Sequence, residues 1–151
     1  TLSSSSAASD VYKRQAFALH TFGTGTDPAT TFTLGSGSEH FVPLIWYIPV
    51  AITIDEVRVI AGSDAAATLN FHLFSYTMAT GTASGAGDLS AGTLLAHNGS
   101  TLITGDDRAT TTTLTVDSAD VVADKVVLAF VETVGETDDV TAQLIVKYHY
   151  Q

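Results

Sequence analysis

The sequence predicts an all-β protein, an antiparallel β-sandwich of jelly-roll type with about eight strands. Threonine, valine, isoleucine and aromatic residues are abundant, and these side chains suit a pleated, half-buried surface. Turn residues interrupt the apolar segments at short intervals, and no segment shows the apolar stripe of an amphipathic helix. An immunoglobulin-like sandwich is the nearest alternative, because its strands are similarly short and closely spaced.

Length and charge limit the classes of function. A chain of 151 residues fits one domain with a sizeable core. Its 16 acidic and 6 basic residues give a net charge of −10, which argues against a nucleic-acid groove because phosphates require clustered Lys and Arg. The chain has no cysteine, so disulfides, thiolate zinc sites and thiol nucleophiles are excluded.

The first fifteen residues differ in composition from the remainder. They are rich in Ser and Ala and lack the apolar segment of a signal peptide. Residues 1–15 resemble a translated sequencing adapter through their segment SSAASDVYKRQ. We therefore expect residues 1–15 to be a non-native or disordered leader and residues 16–151 to form a single β-sandwich domain, the alternative being a native flexible arm.

Strands are predicted from alternating or continuous apolar character. The last one is clearest, because Val140, Leu144 and Val146 alternate with polar neighbours. The run Val126–Val131 is apolar at every position, which predicts a central strand covered on both faces. The predicted strands span residues 16–22, 30–34, 39–49, 51–60, 67–77, 93–97, 110–116, 126–134 and 140–150, one of the first two being only extended coil.

Two irregularities stand out along this pattern. Ile52 and Ile54 share one parity, whereas Val57 and Val59 share the other. A β-bulge near Asp55-Glu56 would insert one residue and account for this change. Residues 80–92 have the small, polar composition of a long surface loop.

The most apolar segment is Phe41–Val50. Its ten residues are too few to span a membrane, and prolines at 43 and 49 exclude a central strand. An edge or bulged strand is the simplest interpretation, and a subunit interface is the functional one, because an uncovered apolar edge promotes aggregation. The candidate interface residues are Phe41, Leu44, Trp46, Tyr47 and Ile48.

No motif in the sequence predicts catalysis or a bound ion. The histidines lack metal-ligand spacing, and the acidic clusters near 106–107, 117–124 and 136–139 match no EF-hand loop, although loop carboxylates at one end of a sandwich could bind Ca²⁺. Asn98-Gly99-Ser100 is a glycosylation sequon that is better explained as an Asn-Gly turn. We expect no enzyme activity, catalytic residue, metal or cofactor.

One resemblance extends over about two-thirds of the chain. The segments IDEVRVIAG, GDLSAGTLLAHNG, TTTLTVDSADVVADKVVLAFVETVG and TAQLIVKYHYQ, between Ile54 and Gln151, resemble small β-sandwich virion proteins of tailed bacteriophages, of the head-decoration and head-fibre type. The resemblance implies a non-enzymatic, often trimeric virion component. It identifies no site residues, because these segments contain no diagnostic motif.

The sequence therefore predicts a viral structural protein, a capsid decoration or head-fibre component. Its expected partners are further copies of itself, with a trimer favoured, and a major capsid protein, whereas nucleic acid and membrane are not expected. Its expected location is the virion, assembled in the host cytoplasm. The alternative is a carbohydrate-binding β-sandwich, which needs two or three coplanar exposed aromatic rings from Trp46, Tyr47, Tyr76, Tyr148 and Tyr150.

Overall fold

A computed structural model describes residues 13–18, 32–34, 39–41, 46–63, 66–79, 89–98, 102–104, 109–133 and 138–151. These described residues contain thirteen strand segments and no helix. The strands are β1 (Lys13–Ala18), β2 (Phe32–Leu34), β3 (Glu39–Phe41), β4 (Trp46–Ile48), β5 (Ile52–Ser63), β6 (Ala67–Met78), β7 (Leu89–His97), β8 (Leu102–Thr104), β9 (Thr110–Thr113), β10 (Thr115–Val116), β11 (Asp120–Val121), β12 (Lys125–Thr133) and β13 (Asp138–Tyr150).

The strands form two antiparallel sheets. In sheet one, β1 and β2 pair with one edge of β13, β13 pairs with β5, and β9 and β11 pair with the other edge of β5. In sheet two, β3 and β4 pair with β12, β12 with β6, β6 with β7 and β8, and β7 with β10. Apolar side chains from both inner faces form one core, which includes Val57, Phe71 and Val146.

The order of the strands is that of a jelly roll. Sheet one runs β2–β13–β5–β9, and sheet two runs β3/β4–β12–β6–β7. When β3 and β4, which share one edge of β12, are counted as a single position, only β6 and β7 are consecutive within one sheet, and every other step crosses to the opposite sheet. This alternation is the double Greek key of a jelly roll. The predicted fold class is therefore confirmed, and the immunoglobulin-like alternative is wrong.

The predicted bulge lies at Asp55. Tyr148 of β13 is opposite Ile54, and Lys147 is opposite Glu56, so that Asp55 is the extra residue. Ile52 and Ile54 before the bulge are buried, as are Val57 and Val59 after it. The bulge thus keeps both halves of β5 facing the core despite their opposite parity.

The central position predicted for residues 126–131 is confirmed. β12 lies between β6 and the edge strands β3 and β4. Val127, Ala129 and Val131 belong to the shared core, whereas Val126 and Leu128 are equally buried but point to the outer face of sheet two. Aromatic rings on that outer face account for the continuous apolar run.

The segment predicted as one strand at 110–116 divides between the sheets. β9 pairs with β5 in sheet one, and β10 pairs with β7 in sheet two. Leu114 lies between them, 3% exposed, and its N–H donates to the carbonyl of Val57 at 2.9 Å. The chain then returns to sheet one through β11. Strand propensity is the same on either sheet, so local sequence does not show this crossing.

Other boundaries differ from the predictions. β1 begins at Lys13, three residues before the predicted start, because residues 13–18 pair with β13. β7 begins at Leu89, inside the predicted loop at 80–92. Its pairing with β6 is irregular, and Ala91 within it has a positive φ of 50°. Residues 19–22, 30–31 and 80–88 lie outside the described residues, and the division of the chain at residue 15 stays a prediction.

Candidate interaction surface

The described strand residues of the apolar segment, Phe41 and residues 46–48, lie at an edge, as predicted; residues 42–45 lie outside the described residues. β3 and β4 are short, and both pair with the same side of β12 at the margin of sheet two. The inner face of β4 contributes Ile48, which is 1% exposed, and Trp46, which packs against the core. Tyr47 between them points outward and is 47% exposed.

The five candidate interface residues therefore have different environments. Phe41 lies in β3, opposite Phe130, and Leu44 lies outside the described residues. Trp46 and Ile48 face the chain's own interior. Of the candidates whose side chains the structure describes, Tyr47 alone is exposed to solvent by more than a third.

Tyr47 belongs to a larger exposed apolar surface at one end of the sandwich. β4 ends and β5 begins here, β11 ends and β12 begins here, and β13 terminates opposite the start of β5. The Asp124 N–H donates to the Ile48 carbonyl at 2.7 Å, which connects the two turns. Six of the seven exposed large apolar side chains among the described residues lie at this end, which we call the end patch: Tyr47, Val50, Met78, Leu89, Val122 and Tyr150.

An aromatic group lies beneath the end patch. Trp46 of sheet two and Tyr148 of sheet one have ring centroids 5.0 Å apart, and Tyr150 packs edge-on against Tyr148 at 5.9 Å. Burial raises the pKa of Tyr148, and the adjacent Tyr150 adds to the rise. These rings join the two sheets, so the end patch rests on a packed base.

Carboxylates border the end patch. Asp120 accepts hydrogen bonds from Thr53 Oγ1 at 2.8 Å and from Gln151 Nε2 at 2.9 Å. Asp124, which has a positive φ of 63°, accepts a hydrogen bond from the Tyr47 hydroxyl. This hydrogen bond to a carboxylate raises the pKa of Tyr47. An apolar centre with a polar border is the usual composition of a protein interface.

Sequence reasoning missed most of the end patch. Its members come from five separate parts of the chain, and only the antiparallel register brings their strand ends together. Val122 is the one member of the end patch whose exposure the local sequence indicates. It directly follows the buried Val121 on the opposite parity, between Asp120 and Asp124, and it is 59% exposed.

A row of aromatic rings covers the outer face of sheet two. Phe74 lies 6.0 Å from Tyr76 and 5.9 Å from Phe130, measured between ring centroids. His72 continues the row along β6, and its ring is stacked on that of His97 at 6.5 Å. The four rings contributed by β6 and β12 are half-buried. Of the five aromatic residues named for carbohydrate binding, Tyr76 alone belongs to this row.

Of the carboxylates weighed as calcium ligands, those of Asp117, Asp120 and Asp124 belong to the described residues, whereas residues 106–107 and 136 lie outside them. Asp117 pairs with His97 Nδ1 at 2.6 Å, whereas Asp120 and Asp124 have the partners given above. No group of three or more His, Asp or Glu among the described residues is arranged to hold a metal ion. A second His–Asp pair joins His149 to Asp55 at the bulge, at 3.0 Å.

The sequon residue Asn98 is engaged with the backbone. Its Nδ2 donates to the Leu69 carbonyl at 2.9 Å, and its Oδ1 accepts from the Phe71 N–H at 2.6 Å. The side chain thus continues the pairing of β6 just beyond the end of β7. Within the described residues, no helix is long and apolar enough to cross a membrane.

Comparisons with known proteins assign no family. No protein-family model and no curated protein matches the chain. Solved structures that match include infectious bursal disease virus Gx strain (7% identity, TM-score 0.45), the T=1 particles derived from that virus (12%, 0.46) and its VP2 subviral particle (11%, 0.47). The matches cover 92–93% of this chain but only 32–34% of the viral chains. Similarity at this level identifies neither function nor partners.

Proposed function

We propose that this protein is a non-enzymatic structural component of a virion, a capsid decoration or head-fibre protein of the tailed-bacteriophage type. It assembles in the host cytoplasm as a homo-oligomer, with a trimer favoured, and contacts the major capsid protein. Neither nucleic acid nor membrane is among its partners. The resemblance of residues 54–151 to such virion proteins and the jelly-roll order of the strands support this proposal, although the same fold also occurs in lectins and cupins.

The end patch is the observation that carries the proposal. Large apolar side chains scattered singly over a surface need no explanation, but a contiguous group marks a binding surface. Six of the seven exposed large apolar side chains among the described residues lie at one end of the sandwich, and only Ile60 lies elsewhere. We therefore propose that the interface predicted at residues 41–48 is centred on the exposed side chain of Tyr47. Trp46 and Ile48 pack against the core behind it.

The test is the mass of the protein in solution. We expect light scattering after gel filtration to give a trimer at micromolar concentration. Replacing Val122 and Tyr150 with Ser should weaken association at least about tenfold, because each buried apolar side chain contributes about 1.5–3 kcal/mol. Thr115→Ser, at an exposed position of the edge strand β10 in sheet two, is the control and should leave association unchanged. A monomeric wild-type protein would overturn the proposal.

A carbohydrate-binding module is the second candidate, favoured by the aromatic row on sheet two. Phe74 and Tyr76 are inclined by only 29° to each other, which suits stacking on a sugar ring better than the 54° between Trp46 and Tyr148. Selective glycan-array binding that is lost in Tyr76→Ala but kept in Tyr47→Ala would favour this function. Absence of selective binding would exclude it.

A further inference from the structure

A shallow groove crosses the outer face of sheet one. Its volume is about 240 Å³, and its lining comes from β5 and β13: Glu56, Arg58, Ile145 and Lys147. Arg58 Nε binds Glu56 at 2.6 Å, yet the Arg58 side chain is 53% exposed and keeps further N–H donors for a second carboxylate. The groove therefore has an apolar floor, Ile145, with two cations and the Glu56 carboxylate beside it.

The groove brings two cations together with one carboxylate in a protein whose net charge is −10. The register places Lys147 opposite Glu56 and Arg58 opposite Ile145. Arg58 and Lys147 are two of only six Lys and Arg residues in the chain, whereas the chain has 16 acidic residues. The chain is therefore acidic overall, and a second copy of it offers carboxylates of complementary charge.

The turn from Asp120 to Asp124 has the matching chemistry. It presents the exposed Val122 between two carboxylates, just as the groove presents Ile145 between Arg58 and Lys147. Within its own chain, Asp120 is bonded to Thr53 and Gln151, and Asp124 is bonded to Tyr47. These partners are neutral, so both carboxylates remain able to attract cations of another molecule.

We propose that the groove on sheet one binds the Asp120–Asp124 turn of a second copy of this chain. Val122 packs on Ile145, and the two carboxylates bind Arg58 and Lys147. This inference rests on the proposed function, because it names the surface that the end patch contacts. The two surfaces differ, so the contact is heterologous, and three such contacts close a cyclic trimer.

Charge-neutral variants provide the test. The groove variant carries Arg58→Gln and Lys147→Gln, and the turn variant carries Asp120→Asn and Asp124→Asn. The asparagines keep a carbonyl acceptor for Tyr47, Thr53 and Gln151, and Asn tolerates the positive φ at position 124. Each variant alone should associate at least about tenfold more weakly than wild type in light scattering, because it loses the charged half of every contact.

Mixing the two variants should give a 1:1 dimer and nothing larger. The intact turn of the groove variant fits the intact groove of the turn variant, whereas the reverse contact lacks both charges. Raising the salt from about 0.1 M to about 1 M should weaken wild-type association, since the Debye length falls from about 10 Å to about 3 Å.

The outcomes separate this inference from the proposed function. A monomeric wild-type protein refutes both. A wild-type oligomer that persists in both variants and in high salt refutes the groove contact alone and leaves assembly through the end patch standing. Circular dichroism of each variant, matching wild type, confirms that lost association does not reflect unfolding.

Discussion

At the scale of single residues, Asn98 shows how one side chain replaces a missing strand partner. It bonds both the carbonyl of Leu69 and the N–H of Phe71, which is 1% exposed. We expect Asn98→Ala to lower the free energy of unfolding by about 1–3 kcal/mol, because it leaves a backbone donor and an acceptor unsatisfied. Urea denaturation measures this loss. Asn98→Asp keeps the acceptor and should cost less, and equal losses in both variants would contradict this role.

Tyr47 and Asp124 make a pH-dependent contact at the end patch. The pKa of Tyr47 is raised by the hydrogen bond to Asp124, so the neutral phenol is the form favoured by folding. The hydrogen bond contributes fully to stability below a pH of about 10, and this contribution is lost as the pH rises through the raised pKa of Tyr47.

Alkaline titration of phenolate absorbance tests this contact. Tyr47→Phe should remove one late-titrating phenol, and Asp124→Asn should shift that phenol towards the ordinary tyrosine pKa. Tyr148, whose raised pKa comes first from burial, should titrate as before in both variants. Superimposable curves for Asp124→Asn and wild type would show that the carboxylate does not cause the shift.

At the scale of elements, the bulge in β5 reconciles sequence parity with burial. Removing Asp55 leaves Ile52, Ile54, Val57 and Val59 in strict alternation, opposite a regular β13. We therefore expect the protein that lacks Asp55 to keep the fold. It should lose only the ion pair between Asp55 and His149 and the extra twist that the bulge produces.

Deletion of Arg58 is the matched control for this prediction. This deletion removes one residue from a regular part of the same strand and so shifts the alternation of its side chains. Either the residues before the deletion or those after it, including Val59, then point towards solvent. Circular dichroism and thermal melting should show a folded protein for the Asp55 deletion and an unfolded one for the Arg58 deletion. The opposite result would mean that the bulge itself is indispensable.

At the scale of the whole molecule, the two outer faces differ in chemistry. Sheet one exposes Arg58, Lys147 and their neighbours, whereas sheet two is covered by half-buried aromatic rings. The exposed apolar side chains gather at one end because the core continues through Trp46 and Tyr148 to the ends of the strands. One molecule thus presents unlike surfaces in different directions, as an assembly with heterologous contacts requires.

Local sequence was enough to predict the strand composition, the bulge near Asp55-Glu56, the doubly covered strand at 126–131 and the edge position of Phe41 and residues 46–48. Each of these follows from parity or proline placement within a few residues, where side-chain direction is fixed by the backbone. The crossing at Leu114, the inward direction of Trp46 and Ile48, and the position of Tyr47, Val122 and Tyr150 at one end of the sandwich follow only from the folded arrangement. These depend on pairing between strands far apart in the chain, and β-propensity does not specify which strands pair.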